Sequence, residues 1–111
     1  MLSEYDTELF KMKADLCKTF SDPKRLMIIQ ELRSGEKQVG ELVQALNMPQ
    51  TVVSGQLAIL RSKGVVIPRR DGTNVYYSIA DTKIIEACDI VHQVLLNHLA
   101  KNREIAERLL T

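Results

Sequence analysis

No tryptophan occurs among the 111 residues, and the aromatics amount to three tyrosines and two phenylalanines. With 45% hydrophobic residues the chain can bury a core, but a small and mostly aliphatic one. Two cysteines, Cys17 and Cys88, are too few for a disulfide scaffold. No apolar run approaches the ~18 residues that a membrane helix requires, so no membrane partner is expected. The opening Met1-Leu2-Ser3-Glu4-Tyr5-Asp6 is acidic and polar, which argues against a secretory signal and for a cytoplasmic location. No repeat, low-complexity stretch or linker interrupts the chain, and its length suits one domain over residues 1–111.

A further absence is local. No acidic residue lies between Glu41 and Asp71, while Arg61, Lys63, Arg69 and Arg70 all do. The net charge of the whole chain is only +1, so the flanking segments are net acidic. A globally basic nucleic-acid binder is thereby excluded, but a basic centre on a balanced chain is the electrostatic footprint of a site that meets phosphates. A merely solvated basic face is the plainer reading of the same charges.

Within that window, Met48 to Gly64 has the marks of a helix. Pro49 suits a first helical position, and Gly64 suits the left-handed residue beyond the last. Val53, Leu57 and Leu60 recur at four and three residues and form one apolar stripe. The other face carries Gln50, Thr51, Ser54, Gly55, Ala58 and Arg61, all short or polar and none acidic. Such a face can enter a nucleic-acid groove and offer hydrogen bonds there, which predicts a DNA recognition helix.

The remaining elements are arranged around it. Tyr5, Leu9, Met12, Leu16 and Phe20 predict a first helix over residues 4 to 20. Asp22 as cap and Pro23 in the first turn start a second helix reaching about Arg33, with Leu26, Ile29 and Leu32 inward and Ser34-Gly35 ending it. Gln38 to Leu46 reads as a short third helix with Val39, Leu42, Val43 and Leu46 apolar, and Asn47-Met48 leaves room only for a tight turn. Two short helices so joined form a helix-turn-helix. After Gly64 the period falls to two: Val65, Ile67 and Arg69 alternate with Val66 and Pro68, Asp71-Gly72 signals a hairpin, and Val75, Tyr77 and Ile79 alternate with Tyr76 and Ser78. Pro68 cannot donate a ladder bond and belongs on an edge. A long last helix covers residues 82 to about 110, with Ile84, Cys88, Val91, Leu95 and Leu99 in one stripe and Ile85, Val94, Leu96, Ile105 and Leu109 widening it. A helix apolar over so much of its girth needs a covering surface. The first and last helices are therefore expected to form a homodimer interface, the alternative being that they only close the core of one chain. A recognition helix gains most from a two-fold mate.

Ordered motifs across residues 16 to 80 resemble those of the ArsR/SmtB-type winged-helix repressors. Phe20-Ser21-Asp22-Pro23-Lys24-Arg25-Leu26 looks like the "ALADPTRL" that opens that family's second helix, and Val39-Gly40-Glu41-Leu42 looks like its "VxEL". Gln50-Thr51-Val52-Val53-Ser54-Gly55-Gln56-Leu57 is similar to "QSTVSHHL". Gly64-Val65-Val66, Arg69-Arg70-Asp71-Gly72 and Val75-Tyr76-Tyr77-Ser78-Ile79 together resemble "GLVxxRRxGxxxYYSL". The resemblance implies a mainly α fold with a small β-hairpin, a winged helix-turn-helix in the order α-α-α-α-β-β-α. It implies a homodimeric repressor whose partner is double-stranded operator DNA. DNA contacts carry over to Gln50, Thr51, Ser54 and Gln56 on the recognition helix, and to Arg69, Arg70 and the Asp71–Asn74 tip, Asn74 included, on the wing. Arg61 and Lys63 join the arginines as expected phosphate ligands. Two positions depart from the pattern: Pro49 stands where serine is usual and Gly55 where histidine is usual. The second removes a contact and permits closer backbone approach.

The family's effector sites match poorly. A metal site on the third helix would need cysteines near Glu41 and Leu42, and none is there. A zinc site on the last helix would need an Asp-x-His pair and two later ligands; Asp81 fits, but Lys83, Val94 and Asn97 occupy the other places. His92 and His98, six residues apart, do not share a helix face. No metal or cofactor is therefore expected. In thiol sensors of the family one cysteine lies near the position of Ile29, which breaks that match as well. Cys17 and Cys88, on helices expected to pack together, remain candidate effector-sensing residues for a redox, persulfide or As(III) signal. Lys13 and Lys18 near Cys17 would favour its thiolate. Burial as small hydrophobes is the equally weighted alternative. A regulator released by a small effector is the leading expectation, with an effector-independent or architectural DNA binder of the same fold as the alternative. A thiol enzyme is not expected, because there is no Cys-x-x-Cys and both cysteines fall within helices.

Overall fold

The computed structural model describes residues 3–110; Met1, Leu2 and Thr111, which belong to the expected 1–111 domain and to the N-terminal polar segment, lie outside the described residues. The elements follow in the order α1 (Glu4–Thr19), α2 (Pro23–Leu32), β1 (Lys37–Gln38), α3 (Val39–Leu46), α4 (Gln50–Ser62), β2 (Val66–Asp71), β3 (Asn74–Ile79) and α5 (Lys83–Leu110). They divide into two compact units, Met1–Ala80 and Asp81–Thr111.

In the first unit, local chemistry sets most element ends. The Ser3 hydroxyl accepts from the Asp6 N–H at 3.2 Å, and the Asp6 carboxylate accepts from the Ser3 N–H at 3.3 Å, a reciprocal cap that starts α1. Asp22 accepts from the Lys24 N–H at 2.7 Å, and Pro23 takes the first position of α2 as predicted. The core collects Ile28, Ile29, Leu32, Leu42, Val53, Leu57, Leu60, Val65 and Val66, each at most 3% exposed. Leu26 is not among them, contrary to expectation, and is 40% exposed. At 3.6 residues per turn it stands roughly 110° round α2 from the centre of the Ile28–Ile29–Leu32 arc, so the helix presents that arc and turns Leu26 outward.

The sheet has a third strand that the sequence did not reveal. Its order is β1-β3-β2, antiparallel throughout, with Lys37 opposite Tyr77 and Gln38 opposite Tyr76. Two residues carry no readable period, and only pairing with β3 makes them a strand. Gln38, expected inside the third helix, instead ends β1 and precedes α3, donating its N–H to Glu41 Oε1 at 3.1 Å. The observed order is thus α-α-β-α-α-β-β-α.

Asn47 makes the turn of the helix-turn-helix in the left-handed region, φ 52° and ψ 47°, which asparagine tolerates. Pro49 is the cap of α4 rather than its first residue: its extended ψ of 147° lies outside the helix, while its carbonyl accepts from the Val52 and Val53 N–H groups. Gly64, at φ 75°, ends α4 as expected, and the Val65 N–H returns to the Leu60 carbonyl at 2.9 Å. In the wing, Asp71 pairs with Asn74 across a two-residue loop whose first member, Gly72, has φ 63°. Pro68 lies on β2, an edge strand paired only with β3.

The apolar stripe of α1 forms and is exposed among the described residues: Tyr5, Leu9, Met12 and Leu16 are between 43% and 77% exposed. In the second unit, the Asp81 carboxylate accepts from the Lys83 N–H at 2.9 Å and starts α5. No residue of α5 is buried, and Val91, Val94, Leu95, Leu96 and Leu99 are all at least 45% exposed.

Candidate nucleic-acid interface

Helix α4 rests on Val53, Leu57 and Leu60, whose exposure is at most 1%. That seating turns Gln50, Thr51, Ser54, Gly55, Ala58 and Arg61 to the outside, all of them exposed. Gln50, Thr51 and Ser54 hold no side-chain hydrogen bond among the described residues, so their donors and acceptors are open to a ligand. A Cβ built on Gly55 would meet nothing within 4 Å. The glycine is therefore not required by packing among the described residues, and it leaves the helix backbone uncovered at that point.

Gln56 does not belong to this face. It lies two residues past Ser54, roughly 200° further round the helix, and points toward α2. Its Oε1 accepts from Arg25 Nη1 at 3.1 Å. Arg25 also donates from Nε to the Thr19 carbonyl at 2.7 Å and lies 3.9 Å from the Asp22 carboxylate. Its side chain is only 15% exposed, so it ties the end of α1, the cap of α2 and the recognition helix together. Nothing local in the sequence marks Arg25 out, because its neighbours do not distinguish a half-buried arginine from a solvated one.

The basic residues divide into two kinds. Lys63 Nζ lies 2.8 Å from the Asp15 carboxylate of α1. Arg69 grips Glu36 with both arms, Nε to Oε2 at 3.0 Å and Nη2 to Oε1 at 2.6 Å, and stacks over Tyr76 at 4.7 Å from the ring centre. These hydrogen bonds hold the Glu36 carboxyl below its usual range against partial desolvation, and the same contact raises the Arg69 guanidinium. Arg61 and Arg70 are exposed and form no ion pair among the described residues. The acid-free window is therefore acid-free only along the chain. Folding brings Asp15 and Glu36 to two of its four cations, so Lys63 and Arg69, expected to be open phosphate ligands, are already ion-paired in the free chain. Asn74 is exposed at the base of the wing tip, beside Asp71, which is exposed too.

The candidate sensing residues occupy different units. Cys17 is exposed on α1, and Cys88 is half-buried on α5. Ile29, the position where the resemblance places a cysteine, is 2% exposed and part of the core. His92 and His98 are exposed on α5, and His98 Nε2 lies 3.1 Å from Asn102 Nδ2. Among the described residues no cluster of three or more His, Cys, Asp or Glu is suited to hold a metal, and no helix is long and apolar enough to cross a membrane.

Comparison with known proteins points the same way as the geometry. The profile described as "Bacterial regulatory protein, arsR family" matches residues 22–67. The uncharacterized HTH-type transcriptional regulator Rv0081 of Mycobacterium tuberculosis is 36% identical over 102 residues, covering 91% of this chain and 90% of that protein. Its crystal structure superposes with a TM-score of 0.78 over 85% of this chain and 95% of that one, at 37% identity. The solution structure of the homodimeric winged helix-turn-helix DNA-binding domain Mb0332 from Mycobacterium bovis gives a TM-score of 0.79 at 33% identity, over 88% of this chain and 91% of that one. The crystal structure of the transcriptional repressor BigR from Xylella fastidiosa gives 0.71 at 33% identity, over 84% and 96%.

Proposed function

The chain belongs to the arsR family of bacterial regulatory proteins, and from that premise we infer that it binds operator DNA as a homodimer and represses transcription until a small effector releases it. The observation that carries this reading is the outer face of α4: exposed, free of acid and with its polar groups unbonded. Gln50, Thr51 and Ser54 are assigned to base edges, where glutamine can pair with adenine and the hydroxyls with either base. Arg61 and Arg70 are assigned to phosphates, and Asn74 to the groove edge at the wing tip.

The uncovered apolar faces of α1 and α5 support the dimer, as does the homodimeric state of the Mb0332 domain. A two-fold pair would place its recognition helices about 34–36 Å apart, one turn of duplex. A cytoplasmic location follows from DNA as the partner.

The effector reading rests on Cys17. Its thiol is exposed, and it lies on α1 between Asp15, which pairs with Lys63, and Thr19, whose carbonyl is held by Arg25. Thiol oxidation, persulfidation or capture of a thiophilic metalloid there could be felt by α4 through those two contacts.

Selection of duplexes by the 111-residue chain from a random-sequence pool tests the main reading. A defined, two-fold related site is expected. Equal affinity for the selected and a scrambled duplex at fixed salt would favour the architectural alternative, since basic charge alone supplies only the non-specific part of binding. The thiol reading is tested by mass spectrometry and DNA binding after polysulfide or As(III) treatment. Absence of both an adduct linking Cys17 and Cys88 and any loss of DNA binding would remove it.

A further inference from the structure

Arg69 does something in this fold that its place on a wing does not suggest. From edge strand β2 its guanidinium crosses the central strand β3, stacking on Tyr76 at 4.7 Å, and reaches Glu36, the residue immediately before β1. There both carboxylate oxygens accept, at 3.0 and 2.6 Å. Since the order is β1-β3-β2, this one side chain spans the whole sheet. The backbone alone joins the wing to β1 through just two residue pairs, Lys37–Tyr77 and Gln38–Tyr76.

Building on the DNA-binding reading above, we propose that Arg69 is a positioning residue: the Glu36–Arg69–Tyr76 strap fixes the angle of the β2–β3 wing against the helix-turn-helix and thereby aims Arg70 and Asn74, without itself touching DNA. Three physical points support this. The planar fork of arginine satisfies a bidentate carboxylate and a ring face at once, which the point charge of lysine cannot do. A phosphate would have to displace a carboxylate already bonded to both arms. The Arg69–Glu36 pair also has no net charge to exchange for condensed counterions, and it is that exchange which makes DNA affinity salt-dependent.

The experiment measures binding of a duplex selected by the wild-type chain, across salt from about 50 to 200 mM. Four variants are compared with wild type: Arg69→Lys, Arg69→Gln, Glu36→Gln and the reversed pair Glu36→Arg/Arg69→Glu. The strap predicts similar, several-fold losses of affinity for the three single variants, an unchanged salt slope, and recovery in the reversed pair. A phosphate role predicts the opposite, and would overturn the strap: Arg69→Lys binds like wild type, and Arg69→Gln lowers the slope by about 0.9. Tighter binding by Glu36→Gln with a steeper slope would also overturn it, by showing that Glu36 screens Arg69 from DNA.

A second measurement needs no DNA. In the free protein the Arg69 Nε–H proton should exchange more slowly than that of Arg70, and should lose this protection in Glu36→Gln. Equal exchange of the two protons in wild type sinks the proposal. Protection of Arg69 in a chain that selects no duplex would instead bring down the DNA reading and the aiming role with it, while leaving the contact in place.

Discussion

Gln50, Thr51 and Ser54 on α4 hold no side-chain hydrogen bond among the described residues, whereas Arg69 on the wing holds two and stacks on a ring as well. Both surfaces look alike in the sequence, polar and with no acid before Asp71. In the fold those three side chains are open and Arg69 is already engaged. The difference lies in what supports each. Helix α4 is seated by an apolar stripe, so its polar face costs the fold nothing to leave unbonded. The wing is a hairpin joined to the third strand by only two residue pairs, and within β2 only its first residue, Val66, is fully buried.

The comparison can be broken most directly by removing the seat of α4. Leu57→Ala leaves a cavity beneath the recognition helix and should destabilise the chain by about 2–5 kcal/mol, read from chemical denaturation. A smaller change would show that α4 is held mainly by its polar contacts. Next in size is Arg25→Ala, which releases the Thr19 carbonyl and Gln56 together and should cost about 1.5–3 kcal/mol. Gln56→Ala should cost less, and the double variant should fall short of the sum. Strict additivity would mean that the Arg25–Gln56 contact is idle.

On the open side, Gln50→Ala or Thr51→Ala should leave stability unchanged and weaken binding to the selected duplex by about 1–3 kcal/mol, with little effect on a scrambled one. Equal losses on both duplexes would move these residues from base edge to backbone. The two kinds of cation separate by salt. Arg61→Gln and Arg70→Gln should each lower the slope of log affinity on log salt by about 0.9, while Lys63→Gln, paired with Asp15, should change it far less. The pairing itself stabilises little, since exposed ion pairs contribute about 0–1 kcal/mol.

The smallest effect concerns pH. Glu36 is depressed in the folded state, so the stability it contributes is present above the ordinary carboxylate range and is lost only as pH falls through its lowered value. Between neutrality and mild acid the strap should be indifferent to pH. Protection of the Arg69 Nε–H proton relative to that of Arg70, followed as the pH is lowered, should be lost only in the acid region. A loss near neutrality would show that another group controls the contact.

Much of this was legible along the chain. Asp22-Pro23, Gly64 and the Gly72 turn are local devices, and each acts where its chemistry says it should. Val53, Leu57 and Leu60 announced the inner face of α4, and with it the polar outer face assigned above to DNA. The misses share one cause, which is distance along the chain. Strand β1 exists because β3 pairs with it. Leu26 is exposed because α2 meets the core through Ile28, Ile29 and Leu32. Gln56 carried the right chemistry for a base contact, but Arg25, far away in sequence, occupies it.

The sequence by itself determined the helices, the hairpin, their order and the polar outer face of α4, because caps, turns and periodicity act over a few residues. Only the tertiary structure decided which charges in the basic window remain open. Asp15 and Glu36 neutralise Lys63 and Arg69 across 48 and 33 residues of chain. Charge interacts through space rather than along the backbone, so a stretch without acids became a surface where two cations of four remain unpaired among the described residues.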